Sequence, residues 1–141
     1  MLPTIHFLAG LLLSVLLFIL GIPLTFILII LATLVLIDVD HYILYAFIRK
    51  DINPFNAYKF YLIEGKKYQN KKKYQFAFLH IFHTAEFFLL LAMLSFFSKI
   101  ALLIFIGCVF HMCVDLIEHI VTRQVYLKAP SLFFRNHVKI I

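Results

Sequence analysis

Eleven side chains with the chemistry of metal ligands sit inside, or at the ends of, long apolar stretches of this chain. They are His6, Asp38, Asp40, His41, His80, His83, Glu86, His111, Asp115, Glu118 and His119, which is five of the seven acids and six of the seven histidines. An Asp at the centre of a membrane helix costs about 2.5 to 3.5 kcal/mol on insertion scales, so five acids in apolar surroundings require compensation. No Lys or Arg lies near them within these stretches. The partners left are imidazoles and a bound cation. Neutral His with ionised Asp or Glu forms a nitrogen and oxygen donor set for a divalent transition metal, whereas protonated His with carboxylate would form a pH-linked relay. A cation also relieves the repulsion among crowded carboxylates, which favours the metal.

Helical spacing allows these groups to converge. At about 100° per residue, His111, Asp115, Glu118 and His119 fall within about 100° of arc on one face. His80, His83 and Glu86 share one side of another helix, with Thr84 placed to support them. In the run Asp38-Val39-Asp40-His41, the first and last residues share a face. Asp40 points about 100° away from His41, so it is expected to need a local helix distortion or to play a role other than ligand. His137, beside Arg135 and Asn136, reads as a solvated residue, and Cys108 and Cys113 as packing residues rather than a disulfide or thiolate site.

The elements that must position these residues follow from composition. The chain has 141 residues, 64% of them hydrophobic and only 14% charged, which excludes an ordinary water-soluble domain with roughly a quarter charged residues. Apolar runs at 5–20, 24–48, 76–97 and 100–121 are each near the roughly 20 residues that span a hydrocarbon core. The expected fold is therefore all-α: a single polytopic membrane domain over 1–141, with four transmembrane helices in a bundle. The first two runs are separated by Gly21, Ile22 and Pro23, a tight hairpin. No basic leader or small-residue cleavage site marks the first run as a signal peptide.

A polar stretch at 49–75 is expected to be a short basic loop and 122–141 a tail. Together they hold all the Lys and Arg except Lys99. Positive segments stay inside, so the expected location is the cytoplasmic membrane with both termini cytoplasmic. The basic excess then reads as topology and as contact with anionic lipid headgroups, not as a nucleic-acid surface. On that topology every ligand group lies in the cytoplasmic half of the bilayer.

The order of an early His6, then Asp38, Asp40 and His41, then His80, His83 and Thr84, then His111 and Asp115 resembles the small integral membrane proteins classed as metal-dependent hydrolases, the YdjM-like group. That group is in turn similar to the zinc-dependent phospholipase C and P1-type nuclease proteins. The resemblance implies hydrolytic, zinc-like chemistry; the expected function is hydrolysis of a lipid-borne ester or phosphoester with one or two divalent ions, zinc foremost, and eleven candidate ligands favour two. His6, Asp38, His41, His80, His83, Glu86, His111, Asp115 and His119 are the expected ligands. Asp40 or Glu118 would be left as general base or as the group orienting a ligand imidazole. The partners expected are a membrane lipid or lipid-linked substrate, and oligomers are compatible with the sequence. Alternatives from other classes are a di-iron membrane oxygenase, a metal or proton transporter, and a membrane protein in which a metal serves only as a staple.

Overall fold

The computed structural model describes residues 3–69 and 81–122, and these are helical with no strand among them. Helix α1 runs over Pro3–Ile19, α2 over Leu24–Leu36, α3 over Val39–Arg49 and α4 over Pro54–Gln69. A 3-10 turn at Ile81–His83 leads into α5 at Ala85–Ser95, and α6 covers Lys99–Thr122. Two stretches are long and apolar enough to cross a membrane, Leu24–Arg49 and Lys99–Glu118, while Thr4–Ile19 and Ala85–Ser95 are apolar but shorter.

The hairpin expected after the first apolar run is present. Gly21 takes φ +77, its amide bonds Phe18 O, and the Ile22 amide reaches back to Leu17 O at 3.0 Å, the paired bonds of a Schellman motif. Pro23, which cannot continue a helix, precedes α2.

The fourth apolar run is present as α6, while the second and third differ in detail from their hydropathy. The second is interrupted at Ile37 and Asp38, between α2 and α3, where the His41 amide bonds Asp38 O over three residues at 3.1 Å instead of four. The third is a regular helix only from Ala85 within the described residues, about 16 Å of rise against a core of about 30 Å. Thr84 ends it on the N-terminal side by taking an extended conformation: its Oγ1 donates to Ile81 O at 2.9 Å and receives the Phe87 amide at 3.4 Å. The basic stretch at 49–75 is not a plain loop, because α4 occupies much of it.

The α3–α4 corner has its own local chemistry. Lys50 ends α3 in the left-handed region at φ +52, and Asn53 Oδ1 accepts the Phe55 amide at 2.9 Å to cap α4. The Asp51 carboxylate receives the Tyr45 hydroxyl at 2.6 Å, the Asn53 amide at 2.9 Å and the Asn56 side-chain amide at 2.8 Å. The Tyr42 hydroxyl donates to Ile52 O. Arg49 lies over the Phe60 ring, 4.8 Å from its centroid.

Helix α6 packs against both α2 and α5. A small buried cluster of Ile37, Leu91 and Cys108, flanked by Phe87, Phe88 and Phe105, fills the α5–α6 side. On the α2 side Gly107 lets the backbones approach closely: a Cβ there would lie 2.9 Å from Ile30 O and 3.0 Å from Thr33 Cβ. One turn later, that approach brings His111 within reach of the α2 backbone. Gly107→Leu is expected to push α6 off α2, lowering stability by about 1 to 3 kcal/mol and weakening any metal held by His111. Thermal unfolding in detergent and retained metal, measured on the same preparation, check both effects.

Candidate metal centre

The break at Ile37 and Asp38 leaves the last carbonyls of α2 without intrahelical partners. One of them, Leu34 O, accepts from His111 Nδ1 at 2.8 Å. A carbonyl can only accept, so His111 Nδ1 carries a proton, and a neutral ring would then present the Nε2 lone pair inward. His83, on the 3-10 turn, is fixed in the same way: its Nδ1 donates to Asp40 Oδ2 at 3.1 Å, leaving Nε2 as the lone-pair nitrogen. The two Nε2 atoms then face each other at 3.2 Å. If both rings are neutral, two lone pairs oppose each other at that distance and repel unless positive charge, a proton or a metal ion, lies between them.

Two carboxylate oxygens complete the cluster. Asp38 Oδ1 is 3.5 Å from His83 Nε2 and 3.5 Å from His111 Nε2, while Asp115 Oδ2 is 3.9 Å and 3.7 Å from the same atoms. A tetrahedral ion with arms of about 2.0 to 2.2 Å needs ligand separations of about 3.3 to 3.6 Å, so small side-chain movements would seat one. Asp38 Oδ1 is itself buried and has no hydrogen-bond partner among the described residues, as a ligand oxygen would be. The clusters Asp38–His83–His111, His6–His111–Asp115 and Asp40–His41–His83 could each hold a metal ion.

The remaining candidates surround this core. His6, on α1, places Nε2 at 2.9 Å from Asp115 Oδ1, the oxygen facing away from the Nε2 pair, and stacks on His111 with centroids 4.2 Å apart. It thereby orients both a carboxylate and an imidazole of the core. Asp40 does the same for His83 and also accepts the Phe82 amide at 3.1 Å, so the distortion expected from its helical position is present and gives it a supporting role. His41 Nδ1 lies 2.7 Å from Asp40 Oδ1 and 3.4 Å from Asp38 Oδ1, on the outer edge. Glu86, at the start of α5, and Glu118, three residues past Asp115, are part-buried and are not members of these clusters. Thr84 serves as the cap of α5. His80 and the side chain of His119 lie outside the described residues, as does the tail with His137.

Burial divides the core donors. His83, His111 and Asp115 are 5%, 0% and 1% exposed, whereas the Asp38 side chain is 21% exposed. Asp38 faces a cavity of about 240 Å³ between α3 and α4, lined also by His41, Tyr42, Ala57, Tyr58 and Tyr61. Tyr61 lies outside the expected ligand set because it falls in the Lys-rich stretch. Its hydroxyl donates to His41 O at 2.8 Å and its ring meets the His41 ring edge-on at 5.4 Å. Burial, and then the negative charges of Asp40 and Asp38, hold that hydroxyl above its ordinary pKa, so it stays a donor. The signal in the sequence was the spacing of Pro54, Ala57, Tyr58 and Tyr61, which puts one face of α4 over the cavity.

Comparison with protein-family models, curated proteins and solved structures finds no match to this chain.

Two outcomes follow from the geometry. Asp40→Asn keeps the side-chain shape but weakens its grip on His83, and is expected to lower metal affinity roughly 10- to 100-fold in a competition titration against a chelating dye. The second concerns the corner that holds α4 over the site. The Tyr45 hydroxyl, the Asn53 amide and the Asn56 side chain keep the Asp51 carboxyl below its ordinary value of 3.8. A depressed pKa means the corner's contribution is complete above about pH 4 and fades as pH falls through the lowered value. Hydrogen exchange of α4 amides should accelerate in that acid range, and Asp51→Ala should show the fast exchange already at neutral pH.

Proposed function

We propose that this chain is an integral membrane hydrolase that holds one divalent transition metal, zinc in preference, between His83, His111, Asp115 and Asp38. The observation that carries the reading is the pair of tautomer-fixed Nε2 atoms converging with two carboxylate oxygens beside a cavity. Two imidazoles with carboxylate oxygens 3.5 to 3.9 Å from them suit zinc, whose d-shell imposes no geometry of its own. The four apolar segments would all lie in the bilayer, with both termini and the site toward the cytoplasm, as the split of basic residues supports.

The contrast in burial supports catalysis. Three deeply buried ligands, two His and one carboxylate, match the protein half of a catalytic zinc site, which keeps its remaining position for water or substrate. Zinc in such a set supplies an acidified water with a pKa near 7 and a Lewis acid for the scissile carbonyl or phosphoryl oxygen. The residues of this chain then have distinct tasks. His83 and His111 would hold the ion through Nε2, with Asp40 and Leu34 O accepting from their Nδ1 atoms. His6 holds Asp115 in place. Asp38, at the cavity edge, can give up its ligand position to a substrate and take the proton from the attacking water. The cavity beside it supports a substrate drawn from the membrane, a lipid-borne ester or phosphoester.

One observation favours a second reading. Two imidazoles with a carboxylate from each of two aspartates nearby are also the donor set of a structural zinc site, in which the metal only ties the helices together. Elemental analysis of the purified protein separates the metal question from the catalytic one. The wild type is expected to carry about one zinc per chain and a His111→Ala, Asp115→Asn double variant almost none. Equal, substoichiometric metal in both would defeat the metal reading. Release of fatty acid or phosphate from mixed membrane lipids, abolished by a chelator and restored by zinc, supports the hydrolase. Unfolding by the chelator with no turnover at any zinc level supports the staple.

A further inference from the structure

The cavity between α3 and α4 has a polarity gradient. One end is the Asp38 carboxylate and the His41 ring, at the edge of the donor cluster. Its sides are Tyr42 from α3 and the α4 face of Ala57, Tyr58 and Tyr61. Tyrosine could make these walls polar, but two of the three hydroxyls already donate elsewhere, Tyr42 to Ile52 O and Tyr61 to His41 O. What those residues offer the cavity is ring surface. Beside Pro54 in the chain, Ile52 and Phe55 are 80% and 75% exposed.

We propose that this cavity is the subsite for the hydrocarbon chain of the substrate, a single-chain amphiphile whose labile ester group lies at Asp38. The proposal rests on the hydrolase reading and specifies the substrate class for the same site. At about 240 Å³ the cavity is far larger than a water or an ion needs, and smaller than the roughly 300 to 1,000 Å³ of sites that enclose a compact drug-sized ligand. A slender chain with its polar end at the metal ligands matches both the volume and the gradient. Burying methylenes against tyrosine rings removes apolar surface from water, and Asp38 and His41 at the other end receive the only part of the molecule that needs polar partners.

The test uses the full-length, zinc-loaded protein in detergent and two probes that share a metal-chelating group, acetohydroxamate and octanohydroxamate. Partition of the longer probe into detergent is the same for every variant, so ratios between variants report the cavity alone. Ala57→Phe fills the cavity and Tyr58→Ala removes an exposed wall that carries no ligand. Both are expected to retain zinc and to bind acetohydroxamate within about twofold of wild type, while octanohydroxamate weakens by at least about tenfold, the worth of two buried methylenes. If octanohydroxamate weakens no more than acetohydroxamate in Tyr58→Ala, the chain does not occupy this cavity and the proposal fails, even where Ala57→Phe does not fold. If neither probe binds the zinc-loaded wild type, the ion has no open position, and the hydrolase reading fails together with its substrate.

Discussion

An interruption of the helical hydrogen bonding at Ile37 and Asp38, whose dihedrals stay right-handed, governs the rest of the structure. In an apolar segment a broken helix is costly, because each unpaired backbone group in hydrocarbon costs several kcal/mol, and such breaks survive only where protein groups replace the lost bonds. Here the replacements come from the site. Leu34 O, released by the break, is taken by His111 Nδ1. The second irregular stretch, the turn at Ile81–His83, is tied to the first in the same way, since the Phe82 amide donates to Asp40 Oδ2. Groups of the site thus complete the hydrogen bonding at both interruptions, and in doing so Leu34 O and Asp40 each accept the Nδ1 proton of an inward-facing imidazole. On an unbroken helix Asp38 and Asp40 would point about 200° apart, and no single centre could use both.

The electrostatics depend on that arrangement. Asp38, Asp40 and Asp115 stand within one small region, and each carboxylate in an apolar span carries an insertion cost of about 2.5 to 3.5 kcal/mol. Pairing with imidazole N–H groups offsets part of it through charge-assisted hydrogen bonds, as between His83 and Asp40 and between His6 and Asp115. With those rings neutral, the pairing cancels no charge. A divalent ion among Asp38, Asp115 and the two Nε2 atoms would neutralise two carboxylates and remove the lone-pair repulsion at once. A shared proton between the two imidazoles would remove only the second.

The parts of the site that rest on spacing within one helix were legible in the sequence; those that rest on packing between helices were not. The stripe containing His111 and Asp115 could be read from helical periodicity, and both residues reach the centre. That His6 meets Asp115 across 109 positions depends on how α1 leans on α6, which no local pattern encodes. The break at Ile37 and Asp38 carries no Pro or Gly, so hydropathy ran straight through it, although the geometry of Asp38, Asp40 and His41 already called for a distortion. At Thr84 the signal was present: a Thr followed by Ala and Glu has the cap and first-turn acid of a helix start. The apolar residues on both sides outweighed it because hydropathy averages over a window much longer than a cap. Likewise the Lys content of 49–75 concealed the apolar face of α4, whose residues recur at helical spacing between the charges.

In a bilayer, helices gain little from apolar contact, because lipid tails are as apolar as Leu; association instead depends on close backbone packing and on polar groups between helices. This chain has one clear example of each on α6. Gly107 brings α6 against α2 with no side chain between them, and one turn later His111 bonds the α2 backbone. Asp115, a further turn along, reaches α1 through His6. The donor atoms come from the α2–α3 joint, the 3-10 turn and α6, so an ion bound among them would link three elements of the fold. Whatever its chemistry on a substrate, such an ion would contribute to the packing of the bundle, and for that reason metal content and stability must be measured together in this protein.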